Sequence, residues 1–200
     1  MKKLIYLIPF FALTLVFNAC SSSPEGKKAE VSAAKGEAAT ASAAAVTFNV
    51  DNNSTVTWTG SKPGGKHMGK FKISDGSLKV ANGNIEAGNF TIDMASNEVI
   101  DLKAGEGKAK LEGHLGAGDF FEVEKYPTGT FTITDCKPVT GNPAVTHRIT
   151  GDLMLKGKTS SVAFDANVNI GGDKMSAVTP SFTINRTNWG INYSSGIINT

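Results

Sequence analysis

Residues 159–170 constrain the fold more than any other stretch. Val162, Phe164, Ala166, Val168 and Ile170 alternate with Asp165, Asn167 and Asn169. Successive side chains of an extended chain point to opposite faces, so this is a strand with one apolar and one polar face. A helix would scatter the same residues around its circumference. A half-buried strand needs other strands with apolar faces against which to bury its own.

Those strands are legible elsewhere. Residues 46–59 carry Val56 and Trp58, and 67–73 carry Phe71 and Ile73. Asp75-Gly76 is a hairpin signal, and Leu78 with Val80 begins the return. After Asn82-Gly83-Asn84, residues 85–94 place Phe90, Ile92 and Met94 on one face, with Gly88 upstream as a bulge candidate. Residues 128–135 carry Phe131 and Ile133, and 147–156 carry Ile149, Leu153 and Leu155. The last strand, 176–186, turns Phe182 and Ile184 inward. Together with 159–170, that makes about eight antiparallel strands, each apolar on one face. A closed barrel buries those faces and leaves no edge; a two-sheet sandwich is the competing arrangement. An eight-stranded barrel is either filled by its side chains or holds one small ligand.

One segment breaks the period of two. Within 97–124, Leu111 and Leu115 stand four apart, on one helical face, but Gly105, Gly107, Gly113 and Gly116 weaken any helix. The expectation is a short helix over one end of the strands. Phe120 and Phe121 follow it and press into the enclosed space as a plug. Tyr126-Pro127 returns the chain to extended geometry.

The N-terminus belongs to a different class of segment. Met1-Lys2-Lys3 is basic, and 4–17 is almost wholly apolar but too short to span a bilayer. The run ends at Phe17-Asn18-Ala19-Cys20, which resembles a bacterial lipobox, with Phe17 where leucine is usual. The resemblance implies cleavage after residue 19 and lipid on Cys20, hence an exported protein anchored to the cell envelope. Loss of Lys2 and Lys3 lowers Lys+Arg from 20 to 18 against 18 Asp+Glu, a formal charge of zero. No basic run remains, so no nucleic-acid partner is expected. Residues 21–45 hold nine alanines and one valine without an apolar stripe. They read as a disordered tether whose ends lie roughly 25–30 Å apart, and the folded domain as 46–200.

No catalytic motif, paired-cysteine zinc spacing or phosphate-binding glycine loop is present. No catalytic residue, metal ligand or cofactor is therefore assigned. Cys136 reads as a buried, inert thiol. His67 stands at a strand start, either in a structural hydrogen bond at the rim or against a ligand headgroup. His114 reads as solvent-facing. Arg186 follows Phe182 and Ile184 at period two, so its guanidinium needs a partner or an exit to water. The candidate partners are a carboxylate such as Asp93 or Asp119, or an anionic or carbonyl headgroup.

The ordered set Trp58-Thr59-Gly60, His67-Met68-Gly69, 90–96, Asp119-Phe120-Phe121, Tyr126-Pro127, 151–157 and 184–190 resembles the YceI-like family. Trp189 stands where that family more often has phenylalanine. The resemblance implies an all-β, eight-stranded antiparallel lipocalin-like barrel with one short helical segment. It further implies an apolar channel for a polyisoprenoid chain, a quinone tail or another lipophilic molecule. Its wall would be Phe71, Ile73, Phe90, Ile92, Met94, Leu111, Leu115, Phe120, Phe121, Phe131, Ile133, Leu153, Leu155, Phe164, Val168, Phe182, Ile184 and Trp189. His67 and Arg186 are the headgroup candidates.

Overall fold

The computed structural model describes residues 26–62 and 64–193. The expected export signal and Cys20, within residues 1–25, and residues 194–200 lie outside them. The described chain is mostly strand, with one α-helix, α1 (Lys108–Gly116), and a closing 3-10 turn, Arg186–Trp189.

Four antiparallel neighbours form the centre of the sheet: β6 (Asn84–Val99), β7 (Thr128–Pro138), β8 (His147–Leu155) and β9 (Lys158–Gly171). Their inward positions are the apolar ones of the alternating pattern. Phe90 pairs with Phe131, and Phe131 with Leu153. Beyond β6 lies β5 (Gly65–Ala81), whose far edge carries β3 (Val46–Asn49) at one end and β4 (Thr55–Lys62) at the other. The far edge of β9 is likewise shared, by β2 (Glu30–Ala33) and β10 (Lys174–Val178). A separate two-stranded parallel pair joins β1 (Lys27–Lys28) to β11 (Phe182–Thr183).

Several expectations change. The sheet does not close: β2 and β10 form one border, β3 and β4 the other. The eight expected strands become eleven among the described residues. Residues 46–59 split in two because the Asp51 carboxylate accepts hydrogen bonds from the Asn53 N–H (3.0 Å) and Ser54 hydroxyl (3.1 Å), turning the chain. Asp75-Gly76 makes no hairpin. It lies inside β5, just after a bulge at Ser74, between the Ile73 and Asp75 pairs. The inward residues are odd-numbered before the bulge (Phe71, Ile73) and even-numbered after it (Leu78, Val80), and one extra residue absorbs that switch. The hairpin is at Asn82-Gly83, where φ of 52° and 77° fits a two-residue turn. Gly88 pairs with Leu78, and the bulge falls at Glu86 instead. Residues 176–186 divide between β10 and β11, and Ile184, just beyond β11, is 37% exposed rather than inward.

The largest correction concerns 26–45. From Gly26 onward this stretch is a structured strap rather than a loose tether. β2 pairs from Glu30↔Ala163 to Ala33↔Ser160. The Lys35 and Gly36 N–H groups both donate to the Asp152 carboxylate, at 3.0 and 2.7 Å. The Ala39 N–H donates to the Ile133 carbonyl at 2.9 Å, and the Ser42 N–H to Glu86 at 2.6 Å. The strap thus runs from the β9 border past β8, β7 and β6 before β3 pairs with β5. Composition hid it because its support is backbone hydrogen bonding to distant strands, which leaves no apolar period in the strap itself.

Candidate functional site

The inward face packs into three adjoining clusters. The first holds Leu78, Val80, Ile85, Ile133, Ile149, Ala166 and Val168, with Phe90, Phe131 and Phe164 against it. The second centres on Val162, Trp189 and Ile191, with Phe120, Phe121, Leu153, Leu155 and Phe182. The third holds Phe71, Ile92 and Met94, again touching Phe121, Leu153 and Leu155. Most of the expected wall residues therefore share one interior. Leu115 is buried on α1, Leu111 and Ile73 are half-buried, and Ile184 is left out.

An aromatic ribbon crosses this interior. The Phe131 ring meets Phe164 at 5.4 Å, and Phe164 stacks nearly parallel on Phe182 at 4.8 Å. Phe131 reaches β9 by passing over Gly151 of β8. A Cβ at Gly151 would collide with that ring and lie 2.7 Å from the Thr132 carbonyl oxygen, so the close approach requires glycine. Phe90, Phe131, Phe164 and Phe182 all point inward, yet each is only partly buried. In a closed, filled core such mid-strand rings would lose nearly all their exposure.

The plug forms as the adjacent phenylalanines predict. Phe120 and Phe121 meet edge to face at 5.2 Å, and Phe121 meets Phe71 the same way at 5.6 Å. Trp189 closes the same end. It is 0% exposed, and its indole N–H donates to the Leu153 carbonyl at 2.8 Å.

The polar candidates are held by protein partners. His67 Nδ1 lies 2.9 Å from Asp101, whose other oxygen accepts the Met68 N–H at 2.9 Å. That N–H is the main reason the Asp101 carboxyl sits below the usual carboxylate range. Arg186 pairs with neither Asp93 nor Asp119. It donates to the Ile191 carbonyl at 2.6 Å and to the Tyr193 carbonyl, and its guanidinium lies 5.1 Å from the centre of the Phe120 ring. Carbonyls satisfy it because the 3-10 turn folds the chain back over its side chain. His114 is only partly solvent-facing: its side chain is 34% exposed and its ring packs 4.4 Å from Tyr193. Ala29, Val31 and Ala39, missed at the sequence level, pack on these clusters, as does Trp58, which was read as a strand residue but not as part of the wall. The single valine at 31 was the only signal in the strap.

Cys136 lines a cleft rather than a reactive site. Burial, with the Asp135 charge adding to it, pushes its thiol up to about 11. Its alkylation by iodoacetamide at pH 8 is expected to be roughly a hundredfold slower than that of a free thiol, and to rise steeply only toward pH 11. Ordinary reactivity at pH 8 would show that the thiol is not desolvated. Among the described residues no group of three or more potential metal ligands occurs.

Two hollows among the described residues are a cleft of about 490 Å³ beside Cys136 and a pocket of about 30 Å³ beside Phe164 and Phe182. Neither is an apolar tunnel. A mostly antiparallel β-sheet folded over an apolar interior, with one short helix, is the lipocalin-like fold class. Residues 40–200 match the YceI-like domain, and the chain belongs to the YceI-like family. A UPF0312 protein of Staphylococcus aureus strain N315 is 30% identical over 141 residues, covering 66% of this chain and 77% of that one. A UPF0312 protein of Pseudomonas putida strain W619 is 39% identical over 89 residues, 41% of this chain and 45% of its own. Among solved structures, the Campylobacter jejuni YCEI protein aligns at TM-score 0.49 and 23% identity, over 64% of this chain and 74% of that one. Burkholderia cenocepacia BcnA aligns at 0.42 and 20%, over 70% and 71%.

Proposed function

We propose that this protein binds a long apolar chain of the isoprenoid class along its aromatic ribbon, and does so as an exported lipoprotein anchored through Cys20. The observation that carries this reading is the incomplete burial of the inward-facing Phe90, Phe131, Phe164 and Phe182. Apolar rings that face an enclosed space and keep accessible surface are what a chain-binding groove presents. Binding is burial without chemistry: each methylene taken from water contributes about 0.8 kcal/mol, so a few isoprene units suffice without a headgroup contact. His67 and Arg186 are already satisfied, which fits recognition by shape and apolarity. The pocket beside the ribbon holds only about 30 Å³, so a bound chain must part the ribbon from its neighbours.

A second reading keeps the barrel as a packed scaffold with its function on the surface. The full burial of Trp189 and the 30 Å³ size of the pocket beside the ribbon favour it. The two part on one measurement. Organic extraction of the purified protein, followed by mass spectrometry, is expected to yield a prenyl lipid near one per chain. A protein recovered empty that also fails to take up a farnesyl probe would leave the scaffold reading standing.

A further inference from the structure

β6 and β7 pair only over residues 89–93 and 128–132. Beyond that they fork: β6 continues against β5 alone, and β7 against β8 alone. Bulges at Glu86 on one strand and at Thr134 on the other bend them apart. Residues 39–42 of the strap sit in this fork. Ala39 packs on the first cluster, the one that Phe90, Phe131 and Phe164 also touch.

The wedge is poorly suited to being a permanent wall. It comprises Ala39, Thr40, Ala41 and Ser42, and a cleft of about 490 Å³ remains around it, lined also by Ile85, Glu86 and Thr134. Its hydrogen bonds to the sheet go to the Ile133 carbonyl and the Glu86 carboxylate. Upstream, residues 32–38 are all exposed, and Ala29 is the strap's one fully buried residue. Segments with few buried apolar contacts and solvent-exposed hydrogen bonds open first. The strands β1 and β2 also precede the residues matched by the YceI-like domain, which begin at 40.

We infer that the β6–β7 fork is the lateral entrance by which an apolar chain reaches the ribbon, and that the strap is its displaceable cover. The inference rests on the chain-binding reading above and assigns it a route. Loosening the cover speeds both entry and exit and leaves the equilibrium nearly unchanged, because the strap blocks the path and not the ribbon.

Asp152→Ala removes the acceptor for Lys35 and Gly36, and Glu86→Ala removes that for Ser42. The second changes a surface side chain and keeps the test open should the first fail to fold. Uptake and release of a dansyl-labelled farnesyl chain would be followed by stopped-flow fluorescence, with amide exchange over 35–42 in parallel. Both rates are expected to rise about threefold or more with Kd within about twofold, while amides at 35–42 exchange faster and those of β8 do not. Faster amide exchange with unchanged uptake overturns the gate. Unchanged amide exchange overturns the premise that these contacts hold the strap. Failure of the wild-type protein and both variants to bind the probe at all sinks the chain-binding reading and the gate with it; equal uptake rates sink the gate alone.

Discussion

Replacing Trp189 by alanine is expected to lower the melting temperature by roughly 10 °C or more, the largest single effect in the molecule. The indole is wholly buried between Ala29, Val162 and Ile191. Truncating an aromatic side chain at such a site costs about 3–5 kcal/mol. The Leu153 carbonyl, left without its indole donor, adds about 1 kcal/mol. For a chain of this length each kcal/mol corresponds to roughly 2–4 °C. Trp189→Phe separates the two contributions: it keeps most of the packing, loses the hydrogen bond, and should recover well over half of the lost stability. A melting temperature within a few degrees of wild type for the alanine variant would mean that the C-terminal segment does not close this end in solution.

The second large effect falls on binding. Phe164→Ala is expected to weaken farnesyl-probe uptake about tenfold or more and to cost only about 2 kcal/mol of stability. The ring bridges Phe131 and Phe182, so its loss cuts the ribbon at its middle. Its partial exposure limits what folding gains from it. The opposite result, a stability loss of about 3–5 kcal/mol with unchanged uptake, would identify Phe164 as plain core. Equilibrium denaturation and probe titration on the same preparation decide between them.

These two residues differ in how legible they were. Phe164 sits in the clearest alternation of the sequence, and local periodicity alone turned it inward. Trp189 was expected in the interior by resemblance, but its burial depends on a 3-10 turn and on a carbonyl of β8, neither of which has a local signature. Arg186 is a harder case. Its position at period two called for a partner or an exit to water, with a carboxylate or a ligand headgroup as candidates; the side chain is half-buried and bonds to backbone carbonyls instead of Asp93 or Asp119. Carbonyls of a chain reversal serve as well, and sequence does not show which groups a reversal will bring near.

The amino-acid sequence by itself determined that this chain forms strands with one apolar face, a short helical element within 97–124 and an aromatic plug at Phe120-Phe121. Each follows from side-chain period and turn chemistry within about ten residues. Only the tertiary structure decided that Asp75-Gly76 lies beside a bulge and not in a turn, that the sheet stays open, and that residues 26–45 cross it as a strap. Those outcomes depend on which distant backbone groups pair, and a hydrogen bond from Ala39 to Ile133 leaves no mark on the residues beside either of them.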